Sequence, residues 1–173
     1  NKVVGIFGFG FMGSAFAEKL RGFDCDIIAY DKYKKAYTSE INYVKEVDLI
    51  DFKRRTEVLS IHIPLTFETS HLFNYDFLSS FQNLKYLINM ARGEVLSLKG
   101  LNEILYEGNL RGAALDVLEN EKLNTLTSEE QKIYQSLFEH QHTLFSPHIA
   151  GWTYESYERI NQVLAKKISE MKF

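Results

Sequence analysis

The sequence predicts an α/β fold in which helices flank a doubly wound, parallel sheet. Short β-branched and apolar runs alternate with longer segments of helical periodicity, which is the pattern of successive β-α-β units. A glycine-rich turn at residues 8–13 joins the first apolar run to the first helical segment. The 173 residues, 45% of them hydrophobic, suffice to bury the core of one domain.

Six short apolar runs predict the strands of this sheet. Their lengths are those of strands rather than of helices. Pro64 ends the third run, because proline cannot donate to a strand ladder. In chain order, the predicted strands are residues 3–7, 27–30, 58–63, 86–89, 113–115 and 143–145.

Six longer segments predict helices between and after these strands. Asn74 is a plausible N-cap of the third helix, and Ser128, followed by acidic residues, is the predicted N-cap of the fifth. Gly108 falls where the C-terminus of the fourth helix favours glycine. In chain order, the predicted helices are residues 12–20, 49–55, 75–81, 98–106, 128–139 and 154–171.

Composition excludes several classes of protein. A formal net charge of -3 gives no reason to expect nucleic acid or an acidic membrane surface as a partner. The single cysteine, Cys25, excludes an intrachain disulfide, and no apolar run is long enough to cross a bilayer, so we expect a cytoplasmic protein. The chain starts at Asn1 and enters a strand almost at once, which we interpret as an excerpt of a longer protein.

The motif Gly8-Phe9-Gly10-Phe11-Met12-Gly13 predicts a dinucleotide site of the Rossmann type. Gly8 permits the tight turn, Gly10 leaves room for a pyrophosphate, and Gly13 lets helix and strand pack closely. The helix N-terminus then faces the phosphates. Asp31 closes the second strand, where its carboxylate can accept the ribose hydroxyls and repel a 2′-phosphate, so we predict NAD rather than NADP.

Three lysines next to that carboxylate argue in the opposite direction. Lys32, Lys34 and Lys35 could attract a 2′-phosphate, or they could simply form a solvated loop. The aromatic residues of the glycine turn, Phe9 and Phe11, are hard to bury there, and we expect them to face a neighbouring domain or subunit.

Polar residues of catalytic type follow the later strands. Arg92 suits bidentate binding of a carboxylate, although from its own segment a surface ion pair is the simpler interpretation. His148 is suited to proton transfer near neutral pH, and Asp116 and Glu121 supply nearby carboxylates. Because ligands bind at the carboxyl ends of parallel strands, these residues should share one edge of the sheet.

Four further runs resemble the D-isomer-specific 2-hydroxyacid dehydrogenases, in the order that this family has them. The runs are His62-Ile63-Pro64-Leu65-Thr66 with Thr69, Ala91-Arg92-Gly93, Gly112-Ala113-Ala114-Leu115-Asp116-Val117, and Ser146-Pro147-His148-Ile149-Ala150-Gly151. Together they span nearly the whole chain. One departure is Lys122, at a position where many members have proline after the glutamate.

The resemblance implies a role for each matching residue. Arg92 binds the substrate carboxylate and polarises the carbonyl, His148 is the acid/base, Glu121 is its partner, and Asp116 holds the nicotinamide carboxamide. No metal site is expected: His140 and His142 have no acidic or cysteine companion at ligand spacing, and we expect them to lie in a surface loop. The implied cofactor-binding residues are Gly8, Gly10, Phe11, Met12, Gly13, Asp31, Ile63, Pro64, Thr69, Asn89, Ala91, Arg92, Asp116, His148, Ala150 and Gly151.

The resemblance also implies the architecture of the enzyme. Residues 1–173 would be the NAD-binding domain, the substrate-binding domain would come from other segments, and the isolated domain would bind NAD without turnover. A homodimer through this domain is expected, with the irregular residues 119–127 and the surplus aromatic residues as a contact surface. Trp152 is expected either to cover the substrate pocket or to anchor the closing helix in the core.

The substrate is expected to be a small 2-hydroxy acid. Residues 116–123 and 146–153 look most like phosphoglycerate dehydrogenases, which implies oxidation of 3-phosphoglycerate at the start of serine biosynthesis. Reduction of glyoxylate or hydroxypyruvate is the alternative, and so is an NAD-sensing corepressor without turnover. The 3-hydroxyacid dehydrogenases lack the downstream runs, and formate dehydrogenases are expected to carry glutamine in place of Glu121.

Overall fold

A computed structural model of the protein describes residues 1–39 and 41–171. Seven parallel strands form one sheet in the order β3-β2-β1-β4-β5-β6-β7, which confirms the doubly wound fold of Rossmann type. The strands are β1 (Lys2–Phe7), β2 (Cys25–Tyr30), β3 (Lys45–Glu46), β4 (Val58–Ile61), β5 (Tyr86–Asn89), β6 (Gly112–Leu115) and β7 (Thr143–Phe145).

Six helices connect or follow these strands, and all six were predicted. Two short 3-10 helices, Gly93–Val95 and Leu123–Thr125, were not predicted, and the second lies inside the irregular residues 119–127. The α-helices are α1 (Phe11–Leu20), α2 (Leu49–Arg55), α3 (Tyr75–Ser79), α4 (Leu98–Tyr106), α5 (Ser128–Glu139) and α6 (Tyr154–Glu170).

The boundaries that differ from prediction have local physical causes. Strand β4 ends at Ile61 rather than at residue 63, because Ile61 pairs with Phe7 and Asn89, the last residues of both neighbouring strands. Strand β3 has only two residues and a charged sequence, so no apolar run could indicate it. Helix α3 ends at Ser79, two residues short of the prediction, where the serine hydroxyl donates back to the carbonyl of Tyr75.

The N-cap predicted for α5 was wrong by one residue. Thr127, not Ser128, caps the helix: its hydroxyl accepts the Glu130 N–H, and the Glu130 carboxylate accepts the Thr127 N–H. This reciprocal capping box satisfies two backbone donors at once, which makes Thr127 a better N-cap than Ser128. Asn74 caps α3 as predicted, by accepting the Phe77 N–H.

Core packing occupies both faces of the sheet. Ile6 and Phe7 are adjacent in β1 and point to opposite faces, so each joins a different apolar cluster. The smaller cluster packs Ile6 against Ala17 of α1, and the larger packs Phe7 against Phe52 of α2. Among the described residues, no helix is both long and apolar enough to span a membrane.

Helix α6 stands apart from this core. None of its residues is buried, and Trp152, just before it, is 67% exposed with its ring 6.5 Å from that of Tyr157. Trp152 therefore does not anchor the closing helix in the core. Its predicted role over a substrate pocket stays a prediction.

Candidate functional site

The residues predicted to act in chemistry gather at the carboxyl ends of the strands. The glycine turn follows β1 and Asp31 follows β2, while Arg92, Asp116 and His148 follow β5, β6 and β7. Because all the strands are parallel, these loops lie along one edge of the sheet. In sheet order these loops run from Asp31 and the glycine turn, past β4, to Arg92, Asp116 and His148.

The glycine turn has the three steric features that its sequence predicts. Gly8 has a positive φ of 94°, and a Cβ there would lie 2.7 Å from the His62 carbonyl oxygen. A Cβ on Gly13 would lie 2.1 Å from the carbonyl oxygen of Gly8, so α1 packs directly on the turn. Nothing lies within 4 Å of a Cβ on Gly10, and no side chain caps α1 there. The turn therefore offers open space and helix N–H groups to a phosphate.

The two aromatic residues of this turn behave differently from each other. Phe9 was expected at a domain or subunit contact, and this was wrong: it is 3% exposed, with its ring 4.9 Å from that of Tyr37. Its side chain joins the small apolar cluster together with Tyr37 and Val44, a contact that the sequence pattern of the turn does not show. Phe11 is 97% exposed and Met12 68% exposed, so both are available for contacts.

Asp31 connects the end of β2 to the glycine turn. Its carboxylate accepts the N–H groups of Phe9, at 2.9 Å, and of Tyr33 and Lys34, both at 3.0 Å. Burial acts to raise the pKa of this carboxyl, but the three N–H bonds and the charge of Lys34 outweigh it and lower the pKa. Asp31 is therefore an anion at neutral pH and still has acceptor capacity for a hydroxyl.

His148 and Glu121 form a hydrogen-bonded pair. His148 Nδ1 lies 2.9 Å from Glu121 Oε1, and both side chains are 48% exposed. The carboxylate engages one ring nitrogen and fixes the ring, which leaves Nε2 free to meet a substrate oxygen. The sequence resemblance implied this partnership, and the structure places the two residues in contact.

Asp116 shapes the loop that carries His148. Its buried carboxylate accepts the Ser146 hydroxyl at 2.5 Å and the N–H groups of Ile149 and Ala150, both at 2.9 Å. His148 lies between these donors with a positive φ of 55°, a conformation that costs energy for a residue other than glycine. These bonds hold the strained conformation in place.

The charge on Asp116 is maintained by the same contacts. Burial acts to raise the pKa of Asp116, but the bonds from Ser146, Ala150 and Ile149 and the charge of His148 lower it. Three acceptor positions of this carboxylate are used by the loop. Its predicted contact with the nicotinamide carboxamide stays a prediction, and positioning His148 is a role that the sequence did not reveal.

Arg92 lies on a turn with buried supports. Asn89 is fully buried, and its side chain donates to the Arg92 carbonyl at 3.0 Å and accepts the Ala91 N–H at 3.1 Å. The Arg92 side chain is exposed, and its Nη1 donates to the Ala91 carbonyl at 2.7 Å. The guanidinium is therefore presented to solvent at the edge of the sheet.

Gly93 is required by close backbone packing rather than by a left-handed conformation. Its φ is not positive, but a Cβ there would lie 1.8 Å from the carbonyl oxygen of Leu118. The Arg92 turn thus packs backbone to backbone against the loop that leads to Glu121, so the two predicted catalytic segments are held together.

The remaining predicted cofactor residues lie in the loops after β4 and β7. Ile63 is half-buried, and Pro64, Ala150 and Gly151 are exposed. The Thr69 hydroxyl donates to the Pro64 carbonyl and accepts the Thr66 N–H, both at 2.7 Å. Thr69 therefore fixes the shape of the loop after β4. Whether these residues contact a cofactor stays a prediction.

Two histidines near the site have partners that sequence reasoning missed. The His71 side chain is 54% exposed, and its Nε2 lies 2.6 Å from Glu119 Oε1. His62 was expected within a strand but lies one residue past β4, hydrogen-bonded to the buried Ser60 at 2.8 Å. Within the described part of the chain, no three His, Cys, Asp or Glu side chains cluster as metal ligands do.

Burial lowers the pKa of His62 to about 4, so the fold favours its neutral form and should weaken in mild acid. Since the folded pKa lies below the unfolded value, this stability is present above about pH 6.5 and is lost as the pH falls toward about 4. When the pH is lowered from about 7.5 to about 5, the unfolding free energy of the wild type should fall by roughly 2 kcal/mol more than that of His62→Gln. Urea titrations at both pH values measure this, and equal pH dependence of the two proteins would contradict it.

The chain is similar to known proteins over most of its length. Residues 1–150 match the family described as D-isomer specific 2-hydroxyacid dehydrogenase, NAD binding domain. A glyoxylate reductase of Thermofilum pendens is 34% identical over 169 residues, which are 97% of this chain and 48% of the relative. A D-lactate dehydrogenase of Streptococcus agalactiae is 34% identical over 166 residues, which are 92% of this chain and 50% of the relative.

A solved structure agrees with these matches. The D-isomer specific 2-hydroxyacid dehydrogenase from Lactobacillus delbrueckii ssp. bulgaricus, in its NAD complexed form, superposes with a TM-score of 0.84 and 28% sequence identity. The superposition covers 98% of this chain and 52% of that one. The chain thus spans about half the length of the relatives that it matches.

Proposed function

Because this chain belongs to the D-isomer specific 2-hydroxyacid dehydrogenase family, as an NAD-binding domain, we propose that it is the cofactor half of an NAD-dependent oxidoreductase. The reaction is transfer of a hydride between nicotinamide and a 2-hydroxy acid. The observation that carries the proposal is the contact of His148 Nδ1 with Glu121 Oε1, 2.9 Å apart, on the same sheet edge as Arg92 and the glycine turn.

The chain's own residues divide the work of the reaction. When NAD is bound, its nicotinamide ring supplies the hydride acceptor. Arg92 binds the substrate carboxylate with its planar pair of N–H donors. His148 Nε2 takes the proton of the hydroxyl during oxidation and returns it during reduction, while Glu121 stabilises the imidazolium.

The glycine turn and Asp31 would hold the other end of the cofactor. The N–H groups at the start of α1 would bind phosphate oxygens, and the structure leaves open space at Gly10. Asp31 accepts the ribose hydroxyls, and its negative charge disfavours a 2′-phosphate. The proposal therefore includes a preference for NAD over NADP.

Reduction of a small 2-keto acid such as glyoxylate is the substrate reaction that we favour. Two relatives, 34% identical to this chain, are named glyoxylate reductase and D-lactate dehydrogenase. Oxidation of 3-phosphoglycerate in serine biosynthesis is a second candidate, suggested by residues 116–123 and 146–153. It needs a second cationic site, because Arg92 can hold only one of that substrate's two anionic groups.

A panel of 2-hydroxy and 2-keto acids, assayed on the longer protein by NADH absorbance, tests these candidates. We expect turnover of glyoxylate or lactate-sized acids. Activity with 3-phosphoglycerate alone would reverse the choice of substrate. NAD binding without turnover of any member would favour an NAD-sensing module and contradict the enzymatic proposal.

The substrate-binding domain is proposed to lie outside this chain. A pocket on the β5-β6-β7 part of the sheet is lined by residues that include Ile88, Ala114 and Leu144, and Leu144 is 71% exposed. The chain also spans only about half of its relatives' length. The isolated chain should thus bind NAD without turnover, because the substrate cannot be oriented near the nicotinamide. A cytoplasmic location is part of the same proposal, and no membrane partner is included.

A homodimer through this domain is also proposed. An apolar groove of about 290 Å³, which includes Leu123, Leu126 and Phe138, borders residues 119–127, and Leu123 is 52% exposed. Light scattering should report a dimer for the wild type and a monomer for Leu123→Glu. Ile50→Glu, a matched change at an exposed residue of α2, should leave the dimer intact. A wild-type monomer at high concentration would contradict the proposal.

A further inference from the structure

The lysines that follow Asp31 are not all free to meet a phosphate. Lys32 Nζ donates to Glu68 Oε2 at 2.7 Å and lies 5.3 Å from the centre of the Tyr33 ring. The Tyr33 hydroxyl donates to the same Glu68 oxygen at 2.6 Å. Lys34 Nζ donates to the Phe9 carbonyl at 3.0 Å. Two of the three cations that argued for NADP are thus already engaged within the fold.

The Lys32–Glu68 contact links the loops after β2 and β4, which lie on either side of the glycine turn. Lys32 follows β2, whereas Glu68 lies in the loop after β4, and β1 with its glycine turn lies between these two strands. The loop that carries Glu68 has a defined shape, because Thr69 bonds the Pro64 carbonyl and the Thr66 N–H. Glu68 is therefore presented to the residue immediately after Asp31 by an ordered loop.

We propose that Glu68 is a second determinant of the preference for NAD over NADP, acting through Lys32. The inference rests on the proposed NAD preference of this site. Lys32 follows Asp31 directly in the chain, so its ammonium is a group that could compensate a 2′-phosphate. Glu68 engages that ammonium at 2.7 Å and pairs its charge. A 2′-phosphate would then meet the Asp31 carboxylate without a free Lys32 ammonium to offset it.

The same contact could act in a purely mechanical way, by tying the β2 and β4 loops together. That role would affect NAD and NADP equally, whereas the electrostatic role distinguishes them. The side chains of Lys32 and Glu68 are 58% and 57% exposed, and an exposed ion pair contributes little to folding stability. Removing either charge should therefore leave the fold intact, which makes the two roles separable by experiment.

The test is titration calorimetry of the chain with NAD and with NADP at low ionic strength, where charge effects are least screened. For Glu68→Gln we expect NADP to bind about three- to tenfold more tightly, with NAD affinity nearly unchanged. Adding Lys32→Gln should abolish this gain, because the released ammonium is its source. Glu129→Gln removes the same charge from another exposed lysine pair, with Lys99, and should change neither affinity.

Several results would overturn the inference. They are an equal change in NAD and NADP affinity for Glu68→Gln, a gain in NADP affinity that persists without Lys32, or the same gain in Glu129→Gln. Failure of the proposed function looks different, because it would show as no NAD binding by the wild type. If only the NAD preference attributed to Asp31 is absent, the wild type will bind NAD and NADP equally. If only the role of Glu68 is absent, Glu68→Gln will keep the wild-type ratio of NAD affinity to NADP affinity.

Discussion

His148→Ala in the longer protein is expected to lower turnover of its 2-hydroxy acid by about 10²- to 10⁴-fold, the range for loss of a general acid/base. The His148 imidazole is the group to which the proposal assigns the proton transfer, and its Nδ1 lies 2.9 Å from Glu121 Oε1. NAD affinity should change little, because the proposed phosphate and ribose contacts are at the glycine turn and Asp31. Steady-state kinetics and NAD titration on the same preparation separate the two effects.

Glu121→Gln should lose less activity than His148→Ala, because glutamine keeps a hydrogen-bond acceptor for the ring but loses the charge that stabilises imidazolium. His142→Ala is a matched control, since His142 is an exposed histidine preceding β7, at the opposite edge of the sheet. Near-normal turnover in both His148→Ala and Glu121→Gln would show that the assigned pair does not carry the proton.

Asp116→Ala is expected to damage stability and turnover together. The variant loses three hydrogen bonds from Ser146, Ile149 and Ala150, and bonds to charged groups contribute about 1.5–3 kcal/mol each. Because water can replace part of this, we expect a loss of about 3 kcal/mol of unfolding free energy. The strained φ of His148 then has no support, so turnover should fall by about 10²-fold. Urea denaturation and steady-state kinetics measure the two losses.

Ser146→Ala provides the graded comparison. It removes one of the three bonds and keeps the carboxylate, so both losses should be smaller than in Asp116→Ala. NAD titration of the two variants adds a separate readout, because a role in holding the carboxamide would weaken NAD binding beyond the loss of stability. A stable Asp116→Ala enzyme with unchanged turnover would remove the positioning role derived from the loop geometry.

The sequence determined the fold class and the steric design of the glycine turn. Strand and helix patterns are set by local periodicity, and the demands on Gly8 and Gly13 come from a strand-turn-helix path that the spacing itself specifies. The placement of Arg92, Asp116 and His148 on one edge followed from parallel strands alone. The pairing of Glu121 with His148 was implied by resemblance rather than by local chemistry.

Only the tertiary structure decided which contacts these residues make. Position 93 needs a glycine because a Cβ there would clash with the backbone of Leu118. Asp116 holds a loop that lies thirty residues later in the chain. The partner of Lys32 is Glu68, from a loop beyond the neighbouring strand. Each depends on segments far apart in sequence that meet through sheet order and packing. Periodicity and motif spacing describe one segment at a time, so they place a charge at an edge without showing whether another chain segment already neutralises it.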